Sequence, residues 1–234
     1  MKKTQKYRLF ENGIDSIAHG IEHFLIGEKD NKNFKFAILH IFHGIEMILK
    51  EKLFKINPIL IYSNIDQKIN ESSHTIGFSN LVIRLENVGI KFSKEEIETI
   101  NGIQRIRNQI EHKDMLFGID DVKFKIGKSI KFLINFMRDE LNIDLQNYIN
   151  KDNYKILVTM IDFYDEQVKI VEKEIEEYLK TFDPKDRQSI DIFFCPYCNN
   201  RTVIIEPDEK GFVTCHFCKE DFTLNIAMYV GYLY

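Results

Sequence analysis

The distribution of proline is the feature that most constrains how this chain can fold. The sequence has four prolines, and none of them lies between Pro58 and Pro184. Proline removes a backbone donor and clashes with the preceding turn, so helix interiors exclude it. Across the same region, apolar residues recur at steps of three and four, which is the spacing of amphipathic helices. The sequence therefore predicts an all-helical body, followed by a different kind of structure after Pro184.

Six helices are expected in this body, and local signals set their ends. Asn57-Pro58 ends the second helix, Ser79 is expected to cap the third, and Gly89 ends it. Two segments, His19-Gly-Ile-Glu and His43-Gly-Ile-Glu, repeat one another and predict two helices that meet the same core with similar faces. The predicted ranges are 10–27, 33–55, 79–88, 94–113, 120–141 and 154–182, with a loop and one short turn in 57–80.

Size and charge limit the class of protein. With 234 residues, 44% of them hydrophobic, the chain can bury the core of one large domain with a small appendage. The formal charge of −4 argues against a surface that is positive throughout, but a local basic cleft still allows nucleic-acid binding. No stretch approaches the roughly 18 apolar residues of a membrane span, and the N-terminus lacks a signal-like apolar core. We therefore expect a cytoplasmic protein without membrane contact.

The segment after the predicted linker at 183–187 changes to an alternating pattern. Residues 202–206 and 212–214 alternate apolar and polar side chains around a Pro- and Gly-containing turn, which predicts a β-hairpin. Residues 222–226 predict a further strand. The sequence thus divides into a mainly α domain, 1–183, and a small β domain, 184–234.

Four cysteines lie in the predicted β domain, in the motifs Cys195-Pro-Tyr-Cys198 and Cys215-His-Phe-Cys218. In a chain without an export signal, two such pairs favour a metal site over disulfides. They resemble the knuckles of zinc ribbons across about 191–226, and the resemblance implies one structural Zn²⁺ held by Cys195, Cys198, Cys215 and Cys218. Four thiolates leave no open coordination position, so no catalytic metal is expected. His216 is interpreted as a surface residue, and the acidic surroundings favour a structural or partner-docking role.

The fourth predicted helix has one apolar and one polar face. Ser93 and Glu96 form the sequence pattern of a capping box at its start. Ile97, Ile100, Ile103, Ile106 and Ile110 then recur at helical spacing and predict a buried stripe. Arg107 and Glu111 lie on the flank of this stripe, and Asn108 and His112 lie opposite it.

The motif Arg107-Asn-Gln-Ile-Glu-His112 resembles the signature of the HEPN superfamily, in which four to six residues separate an arginine from a following histidine near a helix end. The resemblance covers about 10–180 in architecture and is specific only at the motif. It implies a HEPN-like helical bundle that acts as a metal-independent ribonuclease and a homodimer formed through the motif helix. It also implies a setting in anti-phage defence or a toxin–antitoxin system, with an antitoxin or other regulatory protein as a possible partner.

The chemistry that the resemblance implies is cleavage of RNA by its own 2′-hydroxyl. His112 would act as general acid or base, and Arg107 would stabilise the charge on the phosphorane-like transition state. Asn108 would orient the imidazole or hold a phosphate oxygen. The products would carry a 2′,3′-cyclic phosphate and a 5′-hydroxyl, and DNA would resist because it lacks the 2′-hydroxyl.

Two other interpretations of these residues stay open at this point. The same helix suits a non-catalytic adaptor that binds RNA or docks a protein, and it also suits a solvated helix end on which Arg107 pairs with Glu111. Four further histidines suggest a metal cluster, although core-edge packing is the more common role for such residues. Those histidines are His19, His23, His40 and His43, and Glu46 is a candidate to support the arginine and histidine from a neighbouring helix.

Overall fold

The computed structural model describes residues 8–112, 118–196, 200–206, 211–217 and 221–223. These residues are mainly helical, with small antiparallel strands toward the C-terminus. The chain divides into two compact units, Met1–Ile161 and Asp162–Tyr234, and the division falls within the last helix. Among the described residues, none of the helices combines the length and apolar character that a membrane crossing needs.

Six α-helices occur in the described residues, in the order that the sequence predicts. Between the second and third helices, the single helical turn Pro58–Ile61 begins directly after Asn57. The helices are α1 (Leu9–Gly27), α2 (Lys32–Ile56), α3 (Phe78–Asn87), α4 (Lys94–His112), α5 (Ile119–Phe136) and α6 (Lys151–Leu179).

Helices α1 and α2 pack closely because glycines lie at their contact. A Cβ added to Gly20 would lie 2.7 Å from Cγ1 of Ile41, and one added to Gly44 would lie 2.6 Å from Cγ1 of Ile17. Gly20 and Gly44 are the glycines of the two repeated segments. The prediction that these segments meet one core with similar faces is therefore confirmed. Ile17 and Ile41 are fully buried in that core.

Helix α4 begins and packs as its sequence predicts. The Ser93 backbone N–H donates to Oε2 of Glu96 at 2.7 Å, and the Glu96 N–H donates to Oγ of Ser93 at 3.2 Å. These two bonds complete the capping box. Ile100, Ile103 and Ile106 are buried in the core of the first unit, and Ile97 and Ile110 pack against it.

Several predicted helix ends are wrong by a few residues. Helix α3 begins at Phe78 with Gly77 as its N-cap, so Ser79 is not the cap. The end of α5 differs in kind rather than in position, because the wider π-helical turn Met137–Leu141 carries the helix to the predicted end at Leu141, after which Asn142 adopts a left-handed conformation with φ 55°. Helix α6 begins at Lys151, three residues before the predicted start.

The described residues of the second unit contain four short strands: β1 (Asp191–Phe194), β2 (Arg201–Ile205), β3 (Phe212–Thr214) and β4 (Asp221–Thr223). Strand β1 pairs with β2 and β3 pairs with β4, in both cases antiparallel. The predicted hairpin between 202–206 and 212–214 is therefore wrong, since a single bridge from Val203 to Cys215 is what links β2 to β3. The two ladders instead join the strands that precede and follow each cysteine motif in the sequence, and alternation of apolar and polar residues does not identify such partners.

The C-terminal half of α6 packs within this second unit. Val171 and Ile175 are buried with Ile204 of β2, and Phe217 packs against the same cluster. The hydroxyl of Tyr178 also donates to Oε1 of Glu206 at 2.6 Å. The narrow apolar stripe of this half-helix thus serves as a packing surface.

Candidate functional site

An ion pair between α4 and α2 is the centre of the candidate site. Nη1 of Arg107 donates to Oε2 of Glu46 at 2.7 Å. Glu46 is 7% exposed, whereas the Arg107 side chain is 38% exposed. One end of the guanidinium is therefore fixed against the core, and the rest remains accessible to a ligand.

Lys50 balances the charge of Glu46 from the next turn of α2. Its Nζ donates to Oε1 of Glu46 at 2.7 Å and to Oγ1 of Thr75 at 3.2 Å. Lys50 is 4% exposed, and a buried ammonium is tolerated only when it is paired. Glu46 thus lies between two cations, one buried and one accessible.

Arg107 also has a partner on its own helix. Its Nε donates to Oε1 of Glu111 at 3.2 Å, as the sequence suggested for residues one turn apart. Although burial lowers the pKa of Arg107, the hydrogen bond to Glu111 and the charge of Glu46 outweigh it and raise the pKa above its ordinary value. Nη2 has no partner among the described residues, so it can donate two hydrogen bonds to an anion.

His43 is half-buried on the same face of α2 as Glu46. Burial lowers the pKa of His43, Glu46 opposes that shift, and the positive charges of Arg107 and Lys50 add to it. The imidazole is therefore neutral at pH 7. The spacing of His43, Glu46 and Lys50, at steps of three and four on one helix, is a signal that the sequence carries, but nothing local in the sequence connects it to Arg107.

A pocket of about 210 Å³ opens beside Arg107. It is smaller than the roughly 300–1,000 Å³ of pockets that enclose drug-sized ligands. Helix α4 forms one wall, and α2 and the start of α3 close the floor. The lining residues are Phe42, Phe78, Ile103, Gln104, Arg107, Asn108 and Glu111.

The structure brings two of the three predicted catalytic residues to this pocket. Arg107 and Asn108 line it, whereas His112 is exposed at the last residue of α4 and is not among the described lining residues. His112 lies five positions after Arg107, which places the two residues about 140° apart around the helix. Within the described part of the chain, Asn108 and His112 do not hydrogen-bond to each other.

Three of the other histidines lie together between α1 and α2. The rings of His23 and His40 are 5.3 Å apart and nearly parallel, and His19 lies 6.0 Å from His40. Burial and the neighbouring histidines lower the pKa of His40. Across residues 8–112 and the other described segments, no group of three His, Cys, Asp or Glu side chains is arranged to hold a metal.

Two of the four predicted zinc ligands lie in the described residues, and both are buried. Cys195 donates its backbone N–H to the carbonyl of Asn200 at 2.8 Å, which closes the turn between β1 and β2. The Phe217 N–H donates to Sγ of Cys215 at 3.4 Å, and Oγ1 of Thr202 lies 3.1 Å from the same sulfur. Amide donors of this kind favour a thiolate over a thiol. Cys198 and Cys218 lie outside the described residues.

Comparisons of the chain with protein-family models, curated proteins and solved structures gave no match. We therefore infer the chemistry of the site from the arrangement of its own residues. An arginine is fixed by a buried carboxylate, has a free donor edge, and borders a pocket with both apolar and amide walls. Such a site suits a phosphate attached to a planar group.

Proposed function

We propose that this protein is a HEPN-type endoribonuclease that cleaves RNA without a catalytic metal. The observation that carries the proposal is the ion pair of Arg107 with buried Glu46, on a helix that ends in His112. Glu46 fixes the guanidinium before substrate binds, and the free Nη2 edge then contacts a phosphate oxygen. Preorganised donors of this kind stabilise the charge that develops on a phosphorane-like transition state.

His112 is the proposed general acid or base. Its imidazole is solvent-exposed at the helix end, so it is accessible to the 2′-hydroxyl or the leaving 5′-oxygen of RNA. Asn108 borders the pocket one turn earlier and is the proposed second contact to the phosphate. The products are a 2′,3′-cyclic phosphate and a 5′-hydroxyl.

The proposed active form is a homodimer. Because Arg107 and His112 lie about 140° apart on one helix, a single copy does not direct both side chains at the same phosphate. Two copies of α4 related by a two-fold axis would combine the arginine of one with the histidine of the other.

The second unit is proposed to hold one structural zinc ion with Cys195, Cys198, Cys215 and Cys218. Two observations support it. Both described cysteines are buried at strand ends, and each CxxC motif lies between two paired strands, β1–β2 and β3–β4. A unit this small gains much of its stability from bound metal.

A non-catalytic adaptor is the second candidate, and one observation favours it. Arg107 is bonded to two carboxylates, Glu46 and Glu111, which reduces the net positive charge available to a phosphate. An adaptor would use the same dimer and the zinc-binding unit to bind RNA or dock a partner protein without cleaving RNA.

The two candidates differ in a cleavage experiment. Purified protein is incubated with RNA in EDTA, and the product ends are analysed, for wild type and for the variants Arg107→Ala and His112→Ala. Matched controls are Arg138→Ala and His74→Ala, which remove exposed residues of the same types. The ribonuclease predicts cyclic-phosphate ends from wild type and both controls, with a loss of about 100-fold or more in the two site variants.

An inert wild type, or equal cleavage by wild type and His112→Ala, would rule out the ribonuclease. An inert protein that still shifts RNA in a gel would support the adaptor. Zinc content is measured in the same samples, so that metal loss to EDTA is not mistaken for loss of catalysis. Sedimentation of the wild type tests the dimer, because a strict monomer is incompatible with a shared site.

A further inference from the structure

The pocket beside Arg107 has an apolar floor. Phe42 of α2, Phe78 of α3 and Ile103 of α4 line it, and each is less than one-tenth exposed. Its volume of about 210 Å³ is sufficient for one planar ring system rather than an extended ligand. Aromatic and aliphatic side chains of this kind provide contact area for the face of a nucleobase.

Gln104 provides a fixed hydrogen-bond acceptor at the wall of the pocket. Its Nε2 donates to Oγ of Ser79 at 2.7 Å, which ties α4 to α3. The carboxamide is thereby held in one orientation, and its Oε1 has no partner among the described residues. Ser79, which the sequence suggested as a helix cap, instead orients the side chain of Gln104.

Asn108 adds a second amide to the same pocket, one turn after Gln104. It is exposed, and in the described part of the chain its carboxamide makes no hydrogen bond. Asn and Gln carboxamides pair with base edges because they carry a donor and an acceptor side by side. The pocket therefore combines a small apolar floor, two amides and the accessible guanidinium of Arg107.

We propose that this pocket binds one nucleobase of the RNA, with the phosphate of the same nucleotide on Arg107. The inference rests on the proposed function and adds a base preference to it. Oε1 of Gln104 accepts a hydrogen bond from an exocyclic amino group. Adenine and cytosine carry such a group at the edge where guanine and uracil carry a carbonyl oxygen, so adenosine and cytidine are the favoured nucleotides.

Binding is measured without any need for cleavage. The four ribonucleoside 5′-monophosphates and ribose 5-phosphate are titrated into the full-length protein and followed by ligand-detected NMR. AMP and CMP should bind roughly 5-fold or more tightly than GMP and UMP, and UMP should be close to ribose 5-phosphate. Arg107→Ala should weaken all five ligands, because each carries a phosphate.

Gln104→Ala and Gln104→Leu test the residue that reads the base. Both should bind the four nucleotides with nearly equal affinity, since the acceptor is lost, while ribose 5-phosphate binding should not change. The matched control is Gln109→Ala, which removes a glutamine of the same helix that is not among the described lining residues and should keep the preference. Equal binding of all nucleotides by wild type, or an unchanged preference in both Gln104 variants, would overturn the inference.

Cleavage of a randomised RNA pool separates this inference from the ribonuclease itself. If wild type cleaves and Gln104→Ala cleaves with the same base preference, the pocket assignment is wrong and the ribonuclease stands. If wild type does not cleave but binds nucleotides with the Gln104-dependent preference, the ribonuclease is wrong and the base pocket stands.

Discussion

Arg107 and Glu46 lie 61 positions apart in the sequence and form a hydrogen-bonded ion pair of 2.7 Å between α4 and α2. Glu46 simultaneously accepts from Lys50 at 2.7 Å, so one buried carboxylate holds two cations. This arrangement connects the stability of the first unit to the geometry of the candidate site. Substitutions that alter the two carboxylates of Arg107 should therefore have different consequences.

Replacement of Glu46 should destabilise the protein. Glu46→Ala leaves Lys50 buried and without its carboxylate, and the loss of one partner from a buried pair costs about 3–5 kcal/mol. The free energy of unfolding in urea measures this cost. Glu86→Ala, at an exposed position of α3, is the control and should change stability by less than about 0.5 kcal/mol. Similar free energies of unfolding for both variants would contradict the claim that an unpaired, buried Lys50 destabilises the protein.

Replacement of Glu111 should have little effect on stability and should favour anion binding. Glu111→Gln removes an exposed i,i+4 ion pair, which contributes about 0.3–0.5 kcal/mol. Without that carboxylate, the Nε edge of Arg107 becomes available, and RNA affinity should rise roughly two- to fivefold at low salt. Glu22→Gln changes the net charge equally at an exposed position of α1. An equal rise in both variants would mean that net charge, rather than the pocket, is responsible.

Glu98 should make stability depend on pH. Burial raises the pKa of Glu98 from 4.5 to about 7, and the residue is 1% exposed. The folded state favours the protonated acid. The free energy of unfolding is therefore undiminished by Glu98 below pH 4.5, and it falls as pH rises from 4.5 to about 7. Glu98→Gln should therefore be more stable than wild type by a margin that grows with pH, by about 1–3 kcal/mol between pH 4.5 and 8.

Urea unfolding of wild type and Glu98→Gln at a series of pH values measures this margin. The two proteins share all other titrating groups, so the difference between their free energies of unfolding at each pH reflects Glu98. A margin that stays constant from pH 4.5 to 8 would show that Glu98 does not titrate in this range.

The close contact of α1 and α2 should not tolerate a methyl group. Gly44→Ala places a Cβ 2.6 Å from Cγ1 of Ile17 and 2.7 Å from the carbonyl oxygen of Gly13. Overpacking of this kind costs about 1–3 kcal/mol, measured by thermal or urea unfolding. Gly77→Ala is the control, since no atom lies within 4 Å of its added Cβ, and it should cost only a few tenths of a kcal/mol. Equal losses would mean that α1 and α2 are not in contact at Gly44.

Removal of a zinc ligand should affect the second unit more than the first. Cys195→Ser should lose bound metal and the structure of the β1–β2 region, while the helical signal of α1–α5 remains. Metal analysis and circular dichroism measure the two effects. His216→Ala should keep the metal, because His216 is not one of the proposed ligands. Full zinc content in Cys195→Ser would contradict the four-cysteine site.

Much of the first unit could be predicted because its signals are local. The capping box of Ser93 and Glu96, the isoleucine stripe of α4 and the stop at Asn57-Pro58 each depend on residues within one or two turns. The strand pairing could not be predicted in this way. Alternation of apolar and polar residues locates a strand but does not identify its partner, so the ladder between β2 and β1 does not follow from the sequence alone.

The sequence by itself determined the helical class of the first unit, the order of its helices and the positions of Arg107, Asn108 and His112 outside the isoleucine stripe of α4. Only the tertiary structure decided that Glu46 and Lys50 hold Arg107, and that Gln104 with Ser79 completes a pocket beside it. The physical reason is that helical periodicity fixes which face of a helix is buried but not what it is buried against. That choice depends on how α2, α3 and α4 pack together, and the packing is set by contacts between residues far apart in the chain.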